Sequence, residues 1–287
     1  MNDDSLRLNK AISDSGICSR READRLIEEG RVTINGNTAQ IGDRINPGDE
    51  VWVDDIKLKT KQKGKPVYIA FNKPRGVVCT TETEVKDNII DYIKFPKRIF
   101  PIGRLDKPSE GLIFLTSDGN IVNKILRAGN NHEKEYIVTV DKPITQEFIK
   151  QMSNGVPVLD TITKKCVVTR ESEFVFRIIL TQGLYRQIRK MCEYLEYHVT
   201  KLRRIRIMNV SLGKLPLGAW RYLTADELDH IMSLVNDSSN TEDASVNETP
   251  KSKKIYPKKN SSYKDYKKRG GTQAKGKATA VPKKKRK

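Results

Sequence analysis

Long apolar runs are missing from this 287-residue sequence. No stretch approaches the roughly 20 consecutive apolar residues that cross a bilayer, so no membrane-spanning helix is expected. Cysteine is scarce: four, at 18, 79, 166 and 192, with no C-x-x-C pair. The three histidines, at 132, 198 and 230, are just as scattered. That distribution argues against a zinc site and a disulfide framework, and for a reducing, cytoplasmic compartment. Residues 1–10 are polar and charged and lack the apolar core of a secretory signal. Glycine motifs that cradle a nucleotide's phosphates are also absent.

Charge, by contrast, is plentiful and unevenly placed. Of the formal +18, residues 251–287 carry sixteen Lys or Arg against one acid, Asp265. Residues 1–250 hold the other 38 basic and 35 acidic side chains, so they are nearly neutral. A polyanionic partner is implied, and basic side chains outside the tail must be clustered to contribute.

Patterning divides the chain into three. Residues 5–62 read as a small helix–helix–strand module. Leu6, Leu8, Ala11 and Ile12 form an apolar stripe ended by Ser15-Gly16. Ser19 and Glu22 suit a capping box for a helix over 20–29, which Gly30 would end. A strand over 31–34 and the turn Asn35-Gly36 follow, and Val51-Trp52-Val53 reads as a further strand. Residues 57–65 read as a linker. Over 66–235, strands are expected at 67–72, 77–80, 112–116, 135–140, 166–170, 174–180 and 200–210. Helices are expected at 88–93, 120–126, 146–153, 184–196 and 225–235, the last with Thr224 and Glu227 as a capping box. Many strands with little regular alternation predict an α+β fold with a mixed, mainly antiparallel sheet. Residues 237–287, Lys-rich from 251, have too few apolar side chains to offset ordering entropy and are expected to be disordered.

Three constellations could carry chemistry. In Gly103-Arg104-Leu105-Asp106-Lys107, an acid lies between two bases, and opposite charge keeps a carboxylate ionised and nucleophilic. Taken alone, it also fits a solvated loop. Gln182-Gly183-Leu184-Tyr185-Arg186-Gln187-Ile188-Arg189-Lys190-Met191 runs from a strand through a glycine turn into a helix. There Ile188, Met191, Cys192 and Leu195 have core spacing, while Arg186, Arg189 and Lys190 would form a basic stripe. Lys134-Glu135-Tyr136 heads a strand, where a tyrosine serves packing or catalysis. Arg20, Arg21, Arg25 and Arg31 add basic residues to the first module, either solvated or holding phosphate.

In this order, with Asn72-Lys73-Pro74-Arg75-Gly76 ahead of them, these motifs resemble the bacterial pseudouridine synthases of the RsuA type. Gln182-Gly183-Leu184 and Arg206-Ile207-Met208-Asn209-Val210 most resemble a member acting on large-subunit ribosomal RNA. The first module is similar to the alpha-L RNA-binding domain that commonly precedes this catalytic domain. The resemblance implies Asp106 as catalytic carboxylate, Arg104 as its ion-pair partner, and Tyr136 and Arg189 completing the pocket. It implies RNA contacts at Arg104, Leu105 and Lys107, at Arg186, Gln187 and Ile188, and at Arg20, Arg21, Arg25 and Arg31. Relatives commonly carry an acid and a second base where Gln182 and Leu184 stand, a departure that bears on substrate contacts.

The implied reaction breaks the N1–C1′ bond of a uridine, turns the base and rejoins it through C5. It involves no net redox change, so no cofactor and no metal are expected. The expected partner is ribosomal RNA, with transfer RNA as a candidate second substrate and the enzyme a cytoplasmic monomer. A non-catalytic RNA-binding or ribosome-assembly factor would share the basic modules but would not need Asp106, Tyr136 and Arg189 together. A base-releasing hydrolase would share the carboxylate but yield free base. Pro282-Lys283-Lys284-Lys285-Arg286-Lys287 resembles a nuclear-import signal, but beside a bacterial-type catalytic domain it reads as an RNA-contacting tail.

Overall fold

A computed structural model describes residues 5–58, 65–82, 84–126 and 132–236. The expected tail over 237–287 and most of the expected linker lie outside the described residues.

The first module opens with β1 (Leu6–Arg7), α1 (Leu8–Asp14) and α2 (Arg20–Glu28). Strands β2 (Val32–Ile34), β3 (Asn37–Thr38), β4 (Arg44–Ile45), β5 (Val51–Val53) and β6 (Ile56–Lys57) complete it. Leu6 belongs to a short strand paired with β4 rather than to the first helix, because its backbone finds Ile45 as a partner. Ser19 accepts a hydrogen bond from Glu22 N–H at 3.1 Å, one half of the expected capping box. The Asn35-Gly36 turn has φ of +51° and +82°, the left-handed pair a tight hairpin requires. Leu8, Ile12, Ala23, Ile27, Val32 and Val51 form a small separate core. The expected linker begins late, since Lys57 pairs in β6.

The larger module contains β7 (Tyr68–Lys73), α3 (Ile89–Ile93), β8 (Phe100–Ile102), β9 (Glu110–Thr116), α4 (Asn120–Leu126) and β10 (Lys134–Val140). It continues through α5 (Gln146–Asn154), β11 (Pro157–Val158), β12 (Thr161–Ile162), β13 (Val167–Arg170), β14 (Val175–Leu180) and α6 (Gln187–Tyr194). Its last elements are β15 (Val199–Ile207), β16 (Val210–Ser211), β17 (Trp220–Tyr222) and α7 (Ala225–Asn236). The main sheet runs β13-β14-β10-β15-β9-β7-β17, and every ladder is antiparallel except β15 with β9.

Both faces of this sheet are covered. On β9, Ile113 and Leu115 enter the core beneath α3, α5 and α6, whereas Leu112 and Phe114 enter the one beneath α4 and α7. Alternation with period two thus produces a continuous apolar run, because each side chain has a core to enter. Thr224 and Glu227 form a full reciprocal capping box at α7.

Two expected strands differ. Residues 77–80 make only one bridge, Val78 with Asn88, because that segment is tied to a neighbouring loop. Residues 200–210 are a hairpin: β15 turns at Met208, φ +52°, and returns as β16. The helix expected from 184 starts at Gln187, since Arg186 takes a left-handed conformation at φ +52°.

Candidate active site

The site is built from the loop between β8 and β9, which carries Asp106. Gly103 enters this loop at φ +79°, a conformation that suits glycine. Leu105 is buried, and its N–H donates to Cys79 Sγ at 3.4 Å. Gly76 N–H donates to Lys107 O at 2.8 Å, and Arg75 Nε to Pro108 O at 3.1 Å. Lys73, fully buried, donates from Nζ to Pro74 O at 2.9 Å and Val77 O at 2.8 Å. Burial pulls the Lys73 ammonium below its ordinary pKa. The Asn72-Lys73-Pro74-Arg75-Gly76 motif is therefore the clamp that fixes the Asp106 loop.

Asp106 is partly exposed, and Arg189 Nε stands 3.9 Å from its Oδ2. Arg189 is 8% exposed and is anchored through Nη1 to Val199 O at 3.0 Å and through Nη2 to Ser109 Oγ at 3.3 Å. Among the described residues its Nε has no hydrogen-bond partner, so the nitrogen nearest the carboxylate is uncommitted. Burial, then repulsion from Arg186, pulls this guanidinium's pKa down, while Asp106 pulls it up. The expected Arg104–Asp106 ion pair does not form. Arg104 is exposed, and among the described residues the base within ion-pair reach of Asp106 comes from α6. Sequence adjacency is a poor guide here because neighbouring loop side chains diverge.

A cleft of about 930 Å3 holds this loop. Asp106, Tyr136 and Arg189 all line it, as do Arg104, Leu105, Lys107, Arg186, Gln187 and Ile188. The ionisable lining comprises seven Lys or Arg against Glu82 and Asp106, a balance that suits a polyanion. Gln187 and Ile188 form its buried wall, with Gln187 Oε1 taken by Leu184 N–H at 3.0 Å. The expected basic stripe on α6 is not one surface. Arg186 precedes the helix, Arg189 is buried, and Lys190 lies over the Tyr185 ring at 5.3 Å.

Tyr136, on β10, is 9% exposed, with its hydroxyl 3.5 Å from Arg204 Nη1. Arg204 and Lys134 also line the cleft, and the sequence reading missed both as site residues. For Arg204 the signal was its spacing two residues after inward-facing Leu202. For Lys134 the signal was its place in the Lys134-Glu135-Tyr136 motif. Burial, then the charge of Arg204, pulls the Lys134 pKa down to about 8. Glu135 of the same motif is structural: it pairs with Arg206 at 2.6 Å and with Arg177, holding β10 to both neighbouring strands.

In the first module, the four arginines do not form one free patch. Arg31 makes a bidentate pair with Asp54 at 2.8 and 2.9 Å, and Arg25 pairs with Glu22. Arg20 reaches Asn9 at 3.3 Å. Arg21 lines the cleft, 3.7 Å from Glu82 of the larger module. Both modules belong to one compact unit, and Arg98 ties them by donating to Ser13 O at 2.9 Å and Cys18 O at 2.5 Å.

Residues 67–194 match the RNA pseudouridylate synthase family, and residues 6–51 match the S4 domain. The chain is 62% identical over 237 residues to the dual-specificity RNA pseudouridine synthase RluF of Escherichia coli (strain K12), covering 83% of this chain and 82% of that protein. It is 30% identical over 243 residues to ribosomal large subunit pseudouridine synthase B of Bacillus subtilis (strain 168), covering 82% and 98%. A solved pseudouridylate synthase crystal structure superposes with a TM-score of 0.58 at 28% identity, spanning 80% of this chain and all of that one.

Proposed function

Since the chain belongs to the RNA pseudouridylate synthase family, we propose that it isomerises a specific uridine of large-subunit ribosomal RNA, and a transfer RNA uridine as well, through Asp106. The observation that carries this reading is a partly exposed carboxylate facing a buried guanidinium in a basic cleft. The names of the relatives support the substrates: one is a dual-specificity enzyme and another acts on the large ribosomal subunit.

Asp106 attacks C1′ or removes the C2′ proton, and in either route its charged form is the reactive one. Arg189 holds that charge and sets its direction from a buried position anchored to Val199 and Ser109. The target base must leave its stack, at a cost of a few kcal/mol. Arg104, Lys107 and Arg186 offset that cost by holding flanking phosphates, and Tyr136 lies against the turned-out base. Leu105, Gln187 and Ile188 shape the pocket wall. On the S4 domain, Arg20 and Arg21 are the arginines placed to reach RNA, with Arg25 and Arg31 exchanging a carboxylate partner for phosphate.

The working division is an RNA-binding domain at 5–62, a catalytic domain at 66–235 and a tail over 237–287 that is Lys-rich from 251. The working oligomeric state is a monomer. A ribosomal RNA substrate, as in the bacterial relatives, fits a cytoplasmic enzyme. Isomerisation conserves every atom and electron, so the reaction calls for no cofactor. Asp106→Asn tests the assignment: pseudouridine formation should fall by more than a hundredfold with circular dichroism and RNA affinity retained. Turnover within tenfold of the unsubstituted enzyme would refute it, and release of free uracil by that enzyme would make it a hydrolase.

A further inference from the structure

We propose that Arg204 takes up the negative charge of the departing uracil, an inference that rests on the cleft being the site of uridine isomerisation. Two local devices place this residue. The register between β10 and β15 shifts between Glu135 and Tyr136, so that Tyr136 faces Arg204 instead of Ile205. On the other side β9 approaches so closely that a Cβ on Gly111 would lie 2.6 Å from Arg204 N and nearer still to its carbonyl oxygen.

Arg204 is 5% exposed, and its guanidinium makes one short hydrogen bond. Its Nε donates to Leu112 O at 2.6 Å, and Nη1 makes a long contact of 3.5 Å with the Tyr136 hydroxyl. Nη2 is buried and, among the described residues, has no hydrogen-bond partner. An unpaired N–H on a buried cation is destabilising, so folded proteins rarely leave one without a reason. The cation lies 5.9 Å from the Tyr136 ring centroid and lines the cleft that holds Asp106.

The chemistry provides the missing acceptor. Whether Asp106 forms a bond to C1′ or accepts the C2′ proton, the electron pair of the N1–C1′ bond departs with the base. The carboxylate's charge is thereby transferred to a uracil anion delocalised over N1, O2 and O4. When C5 bonds to C1′, that charge returns to the carboxylate, and the C5 proton is balanced by protonation of N1. A buried donor with no ground-state partner, meeting an oxygen whose charge grows during bond breaking, binds the transition state better than the substrate.

The test varies the leaving group. A ribosomal RNA fragment spanning the mapped position is prepared with uridine or with 5-fluorouridine at that position, the fluorine making the uracil anion more stable. Single-turnover loss of each nucleoside is followed with the unsubstituted enzyme, Arg204→Met and Arg204→Lys. Arg204→Met should slow the uridine reaction by about 10²- to 10³-fold. It should slow the 5-fluorouridine reaction at least tenfold less, with RNA affinity unchanged and Arg204→Lys intermediate. Equal losses on both substrates would overturn the proposal while leaving the cleft as the active site. No loss on either would remove Arg204 from the reaction. If neither variant retains the circular dichroism of the unsubstituted enzyme, Arg204 is a scaffold cation and the proposal fails. Failure of the underlying site assignment would show separately, as an active Asp106→Asn enzyme.

Discussion

Replacing Lys134 with methionine should stabilise the protein near neutral pH and destabilise it in alkali. Burial beside Arg204 lowers the Lys134 pKa from its ordinary 10.5 to about 8. At about 1.36 kcal/mol per tenfold change in proton affinity, the folded state disfavours the ammonium by about 3.4 kcal/mol. Below pH 8 the side chain is charged in both folded and unfolded states, so the full penalty is present. Between pH 8 and 10.5 only the unfolded chain holds the proton, so this group's contribution to stability rises with pH. Between pH 7 and pH 10 about 2.5 kcal/mol of the penalty should disappear. Methionine removes the charge but also the 2.9 Å hydrogen bond from Nζ to His132 O. That bond offsets about 1.5–2 kcal/mol. Lys134→Met should therefore be more stable by roughly 1–2 kcal/mol at pH 7 and less stable by roughly 1 kcal/mol at pH 10. Urea unfolding of both proteins at pH 7, 8, 9 and 10 measures this. Burial also raises the pKa of Tyr68, Cys166 and Cys192, which lowers stability as pH rises, but these groups are common to both proteins and cancel in the difference. A difference constant within about 0.5 kcal/mol over that range would refute the reasoning.

Gly111→Ala should cost about 3–5 kcal/mol, from a side chain at φ +110° and a clash with the Arg204 backbone; a loss below about 1 kcal/mol in urea unfolding would show that the strands can separate freely. Removing residues 251–287 takes away sixteen basic side chains, so log K for RNA should depend less steeply on log[salt] while the modified nucleotide stays the same. An unchanged slope would mean the tail does not touch RNA, and a moved modification site would mean it also directs specificity.

Local rules were legible in the residue order. Ser19 caps α2, Thr224 and Glu227 cap α7, and Asn35-Gly36 makes its hairpin, because each depends on partners within three residues. The spacing of Ile188, Met191 and Cys192 marked the buried face of α6, and all three are 5% exposed or less. The order of four motifs was enough for the family, since together they constrain a whole chain segment.

Tertiary structure decided the electrostatics of the site. The partner of Asp106 is not its neighbour Arg104 but Arg189, which is carried on a helix 83 positions later in the chain and held by Ser109 and Val199. Arg186 looked like the first residue of a helical stripe, yet it takes the left-handed turn that precedes the helix. Arg204 lies on a strand beside Arg203 and Arg206, and a register shift and a side-chain-free Gly111 set it against Tyr136 in the cleft. Helix caps and periodicity are properties of neighbouring residues, so residue order alone determines them. The charge around Asp106 depends on strand register and on contacts between residues as far apart as Leu112 and Arg204, which only the packed sheet establishes.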